Sequence, residues 1–210
     1  MEAFCRANSA ALIERITNRR TQTNEVARSA QLVPAIAIIA ELAGASPSLL
    51  EVGASAGLNL RFDDYRYTYR TATDAVEVGD ARAAVHVKCA FEGDSRVIPG
   101  KLPSVGARVG IDSHPIDLWD STDVRWLRAC VWADELDRDR RLQAAVAGAR
   151  SHPPSVIRGD AVQDLGSAAA RLSAEDPLIV MHQAVMGYLS QTERTRFRRV
   201  IHDVARSRAV

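Results

Sequence analysis

Residues 50–60 read Leu-Glu-Val-Gly-Ala-Ser-Ala-Gly-Leu-Asn-Leu, and two chemistries use that spelling. Gly53-Ala54-Ser55-Ala56-Gly57 fits G-x-S-x-G, in which a strained strand-to-helix turn presents a serine hydroxyl as nucleophile. Glu51 with the same two glycines also fits the turn that opens a nucleotide-binding βα unit. There glycine lets the backbone approach a ligand, and the N–H groups of the following helix are free to bind it. The nucleophile reading needs a scaffold: Ser55, Asp160 and His182 stand in a usable chain order. However, no His precedes the motif, and the upstream residues read as helices rather than as the strands and oxyanion loop of such an enzyme.

The cofactor reading explains more residues. Glu51 lies inside an apolar strand, where an acid is costly unless it faces the crevice beyond the strand ends. Two later strands, Val109–Asp112 and Val156–Asp160, also end in carboxylates. Glu51, Asp112 and Asp160 are therefore expected at one rim. An acid at the second strand's tip can accept two ribose hydroxyls, and the third acid can meet an adenine amino group. The turn lacks the central glycine that a pyrophosphate requires. It resembles instead motif I of class I S-adenosylmethionine-dependent methyltransferases, whose cofactor carries no phosphate. That resemblance implies S-adenosylmethionine as cofactor, with Glu51, Gly53, Ala54, Ser55, Gly57, Asp112, Asp160 and Ala161 around it. Glu51 and Asp112 are sixty-one positions apart, against about 20 in the dinucleotide folds, so an insertion must separate the first two strands.

Other polar groups fall at places where an acceptor could bind. His182 ends the fourth strand, where an imidazole can take a proton, and Tyr188 follows it; the two are the candidate catalytic residues. Gln22, Asn24 and Glu25 cluster at an expected helix start and are candidates for the substrate pocket. His114 lines the rim, His86 and His202 are expected in solvent, and His152 sits in a loop. No histidine or cysteine pair has metal-site spacing, so no metal is expected.

The elements that must carry these groups read as an α/β domain. Residues 4–17 space Phe4, Ala7, Ala11, Leu12 and Ile16 for one buried helical face. Residues 21–44 give a more apolar helix that Pro34 kinks or splits and Gly44 stops. Residues 65–107 switch to strand spacing. There Tyr65, Tyr67 and Tyr69 share one face for packing, and the segment forms a β insertion. Strands and helices then alternate to Ser190-x-x-Glu193, a capping box that opens a final helix with Phe197, Val200, Ile201 and Val204 buried. The expected fold is a doubly wound, mostly parallel sheet in one domain, residues 1–210, with a helical segment 1–44 and the β insertion 65–107.

Composition sets outer bounds. The 210 residues are 47% apolar and 25% charged with net charge +1, which favours neither nucleic acid nor an anionic membrane. Cys5, Cys89 and Cys130 form no framework, no leader is evident, and no stretch approaches the roughly 18 apolar residues of a membrane span. A soluble, cytoplasmic protein is expected.

Taken together, QTNEVAR, LLEVGASAGLNLRFDDYRY, RVGIDSHPIDLWD, VRWLRACVW, VIRGDA and HQAVMGYLSQTERTRF resemble the bacterial family called domain of unknown function 2332, from about Thr21 to about Arg199. The resemblance implies a methyltransferase-like Rossmann fold and assigns no reaction. Such sheets continue past the fourth core strand, whereas this sequence ends one helix later, so the chain reads as truncated there. Three functions are expected in order: an S-adenosylmethionine-binding methyltransferase-like protein of unknown acceptor, a non-catalytic relative acting through protein association, and a serine hydrolase using Ser55. An uncovered fourth strand further implies a homodimer that shields its edge.

Overall fold

A computed structural model describes residues 1–208. The strands are β1 (Ser48–Val52), β2 (Arg66–Arg70), β3 (Ala75–Val78), β4 (His86–Ala90), β5 (Arg108–Asp112), β6 (Val156–Arg158) and β7 (Leu178–His182). The helices are α1 (Glu2–Ala7), α2 (Ser9–Asn18), α3 (Ser29–Ala43), α4 (Ser121–Ala129), α5 (Leu136–Ser151), α6 (Leu165–Ala169), α7 (Val185–Tyr188) and α8 (Gln191–Arg206). Four strands form a wholly parallel sheet in the order β6-β5-β1-β7. Counted along the chain, that is third, second, first, fourth. The winding therefore reverses between β1 and β7, the position in sheets of this kind beyond whose strand ends ligands are commonly bound.

Every residue of β1 is buried, as expected for a central parallel strand covered on both faces. Leu49 packs with α3, α5 and the insertion tyrosines, whereas Leu50 and Val52 pack with α6 and Phe197 of α8. Sheet and helices thus make a layered α/β unit with one apolar core on each face. Register places Glu51 between Gly110 and Met181, and Val52 between Ile111 and His182.

The excess length between β1 and β5 builds a second sheet, ordered β3-β2-β4, with β2 antiparallel to β3 and parallel to β4. Tyr67 and Tyr69 of β2 are fully buried, and their hydroxyls reach the segment that leads into and begins α3. Tyr67 donates toward Phe62 O at 2.7 Å or Ser29 Oγ at 3.0 Å, and Tyr69 donates to Ala30 O at 2.9 Å. The Tyr69 contact explains how α3 runs through Pro34 without splitting. Proline has no N–H for the carbonyl four residues earlier, and that carbonyl belongs to Ala30. A phenol supplies the missing donor.

Several expectations are corrected. The apolar stripe of residues 4–17 becomes two short helices with no buried residue, leaving Phe4 and Ile16 61% and 76% exposed. Spacing alone made an amphipathic face, and the chain folds nothing against it. The second helix begins at Ser29, not near Thr21, because Glu25 caps a 3-10 turn at Val26–Arg28 through the Ala27 N–H. Val26–Ala43 is long and apolar enough, by length and composition alone, to cross a membrane, contrary to the sequence expectation; one third of it is buried. His86 is not simply solvated. Its Nε2 lies 2.6 Å from Thr68 Oγ1, which also donates to Glu77, and burial followed by Arg66 and Lys88 holds its pKa below the usual value.

Replacing Tyr69 by Phe leaves the Ala30 carbonyl buried without a donor, which costs on the order of 1–3 kcal/mol. The expected result is a lower urea midpoint at unchanged slope. An unchanged midpoint would mean that another group serves the Ala30 carbonyl.

Candidate functional site

The turn after β1 is built by backbone conformation before any side chain acts. Gly53, Ser55 and Gly57 all have positive φ, at 74°, 55° and 72°. A Cβ on Gly57 would lie 2.7 Å from Pro154 Cγ, so conformation and space both require glycine there. Ser55 holds a left-handed conformation that costs a non-glycine residue about 1 kcal/mol or more, a strain that concentrates at functional sites. Gly53 N–H and Ala54 N–H both donate to Ile111 O, at 2.8 and 3.2 Å, and Gly57 N–H donates to Ala54 O at 2.7 Å. These bonds fold the turn over the tip of β5. Ala54 is fully buried, and the Gly53 Cα faces Val185 of α7.

The Asp112 carboxylate completes the turn. Its Oδ2 accepts the Ser55 N–H at 2.8 Å, and its Oδ1 accepts the His114 N–H at 2.8 Å. Gln22 Nε2 donates to His114 O at 3.0 Å and lies 3.4 Å from Asp112 Oδ1. Asp112 stays half-buried, and an ionised carboxylate has about four lone-pair sites, so acceptor capacity remains. Asn24 Oδ1 accepts the Leu58 N–H at 3.1 Å from beneath.

Glu51 lies under the turn, 2% exposed. Burial raises its carboxyl to about 8; Asn59 Nδ2, 3.4 Å from Oε1, opposes the rise, and the nearby Asp112 charge adds to it. Glu51 Oε2, Ser55 Oγ, Asn59 Oδ1 and both amide atoms of Gln183 are buried without a hydrogen-bond partner. Gln183 directly follows the tip of β7. Sequence reading passed over it for its neighbour His182, although a position just beyond a strand end at the winding reversal is itself the signal.

The remaining candidates divide. Asp160 is exposed, and its Oδ1 accepts the Val162 and Gln163 N–H groups at 2.8 and 2.9 Å, so it also organises the turn before α6. Ala161 is half-buried against the α6–α8 core. Glu25 does not join Gln22 and Asn24. Its carboxylate pairs with Arg138 and, at 3.6 Å, with Arg141, both on α5. His182 is exposed with its ring edge-on to Phe197 at 5.6 Å, and Tyr188 is 83% exposed on α7. No hydrogen bond joins Ser55, Asp160 and His182 among the described residues, and the Ser55 hydroxyl is enclosed. No group of three or more His, Cys, Asp or Glu among the described residues could hold a metal ion.

The model of the family described as an uncharacterized protein conserved in bacteria, domain of unknown function 2332, matches residues 1–210, so the chain belongs to that family. No curated protein and no solved structure matches the chain.

Glu51 makes stability depend on pH with a defined sign. The folded carboxyl keeps its proton up to about pH 8, whereas the unfolded one releases it near 4.5. Between those values the folded state binds more protons, so stability falls as pH rises through the window. Glu51→Gln removes that slope. Its stability relative to the parent chain is expected to rise between pH 4.5 and 8 by on the order of 3–5 kcal/mol. Urea unfolding at several pH values checks this; a constant difference would contradict it.

Proposed function

We propose that this member of the domain of unknown function 2332 family is a methyltransferase-like Rossmann domain that binds S-adenosylmethionine over the tips of β1, β5 and β6. The observation that carries the reading is Asp112. An acid at the second core strand's tip is hydrogen-bonded to the Ser55 amide of the glycine turn, half-buried, and keeps accepting capacity for a ribose hydroxyl beside the Ser55, His114 and Gln22 contacts. The strand order agrees with the first half of a doubly wound nucleotide-binding sheet. A turn with three positive-φ residues and no central glycine suits a nucleoside without a pyrophosphate.

In this reading each group has a defined task. Asp112 holds the ribose, and Gly53, Ala54, Ser55 and Gly57 shape the backbone beside it. Asp160, fixed by the Val162 and Gln163 amides, faces the adenine side with Ala161 packed beneath. Glu51 and Asn24 support the turn from below, and Gln22 braces the Asp112 loop. The bound cofactor supplies an activated methyl group for displacement, a reaction in which positioning provides much of the acceleration. The acceptor approaches at the end of β7. There the His182 imidazole is available to take a proton, the Tyr188 hydroxyl can hydrogen-bond an acceptor, and the unpartnered Gln183 amide offers one donor side and one acceptor side.

A second reading has its own support. The outer edge of β7 has no partner strand among the described residues, and it carries half-buried Leu178, Ile179 and Val180. An edge of that kind invites strand pairing, which fits a non-catalytic relative that dimerises there. The serine-hydrolase reading has less, because the Ser55 hydroxyl is enclosed and bonded to no histidine. An absence of fluorophosphonate labelling would remove it.

Calorimetry with S-adenosylmethionine separates the first two. The expected result is one saturable site per chain, weakened at least about tenfold, some 1.4 kcal/mol, by Asp112→Asn and unaffected by Tyr188→Ala. No binding, together with a dimer by size exclusion, would support the association reading.

A further inference from the structure

Glu51 and Asn59 each leave one oxygen without a partner, and the two oxygens belong to groups already in contact. Asn59 Nδ2 donates to Glu51 Oε1 at 3.4 Å, while Glu51 Oε2 and Asn59 Oδ1 are buried and unpaired. The two residues are 2% and 3% exposed. An ionised carboxylate and an amide carbonyl are both pure acceptors, so neither oxygen could satisfy the other. The turn would then enclose a charge and two orphaned acceptors, each with its own desolvation penalty. A single proton on Oε2 removes the charge and creates a donor for Asn59 Oδ1. It also turns one long contact into a ring of two hydrogen bonds between planar groups.

We propose that Glu51 is a neutral carboxylic acid whose O–H is donated to Asn59 Oδ1, forming an acid–amide clasp that positions the glycine turn. Glu51 lies two residues before Gly53 and Asn59 two residues after Gly57, so the clasp closes the base of the turn as Asp112 closes its outer side. The surroundings favour the neutral form. From β5 the negative Asp112 opposes ionisation. From the segment after the 3-10 turn (Leu58–Asp64) comes Tyr65, whose hydroxyl donates to Leu58 O at 2.6 Å and is itself buried. Met181, beside Glu51 on β7, is apolar, and Asn24 is uncharged. The clasp is made by side chains of this chain alone, so its test does not depend on what the crevice binds.

Infrared spectroscopy of the full chain at neutral pH is expected to show a protonated-carboxyl stretch that Glu51→Gln abolishes. The amide introduced by that substitution can complete the same ring with Asn59, so the variant is expected to fold with an equal or higher urea midpoint. Asn59→Leu removes the acceptor and is expected to move the stretch to higher frequency. The carbon-13 shift of the Glu51 carboxyl reads the same proton without any substitution, with an expected midpoint near pH 8 instead of near 4.5. A midpoint near 4.5, or a band that Glu51→Gln leaves in place, would overturn the neutral acid. A band unmoved in Asn59→Leu would overturn Asn59 as its acceptor.

Discussion

The carboxylate of Asp112 takes the Ser55 N–H on one oxygen and the His114 N–H on the other, both at 2.8 Å, and these bonds decide where two loops above the sheet can lie. Hydrogen bonds to an ionised acceptor are the strong ones. Ser55 needs such a bond, because its left-handed conformation persists only where the surroundings over-determine it. The Gly53 and Ala54 amides fix the same turn to Ile111 O one residue earlier. Backbone and side chain at the tip of β5 therefore act together on the turn after β1. Without Asp112, the Ser55 amide would lose its acceptor inside the protein.

The sheet order makes that contact available. β5 and β6 lie on one side of β1 and β7 on the other, so the end of β5 with Asp112 and the end of β7 with Gln183 flank β1 from two directions. Beneath it, Glu51 occupies a fully buried position on the central strand. Burial is also why its carboxyl departs so far from ordinary values. The turn is thus held at its rim by the hydrogen bonds of Asp112 and supported from below by Glu51, whose environment disfavours charge.

Much of this was readable from residue order. The alternation of apolar runs gave all four core strands, and Gly53, Gly57 and Asp112 fell in the turn and at the second strand tip; the reach of Gln22 to the Asp112 loop, ninety residues away, was not legible. The 4–17 stripe failed because amphipathic spacing gives a helix a face without supplying anything to bury it. The ion pairs of Glu25 were not legible because its partners, Arg138 and Arg141, are more than a hundred residues away, and spacing cannot show which way a side chain turns. That Pro34 would not split the helix was illegible for a related reason, since the donor that rescues the Ala30 carbonyl is a tyrosine on a different sheet. Gln183 went unnoticed because an amide beside a histidine is unremarkable until its atoms are found buried and unpaired. Family membership covers residues 1–210 and leaves the chemistry to be read from these contacts.

The central claim is that the glycine turn and the strand tips beside it form a single ligand-binding crevice. Amide NMR of the chain titrated with S-adenosylhomocysteine tests it most directly. Binding as described predicts shifts concentrated at Gly53, Ala54, Ser55, Gly57, Asp112, His114 and Gln183. Shifts gathered instead along α6 and α8, or none at saturating ligand, would contradict it.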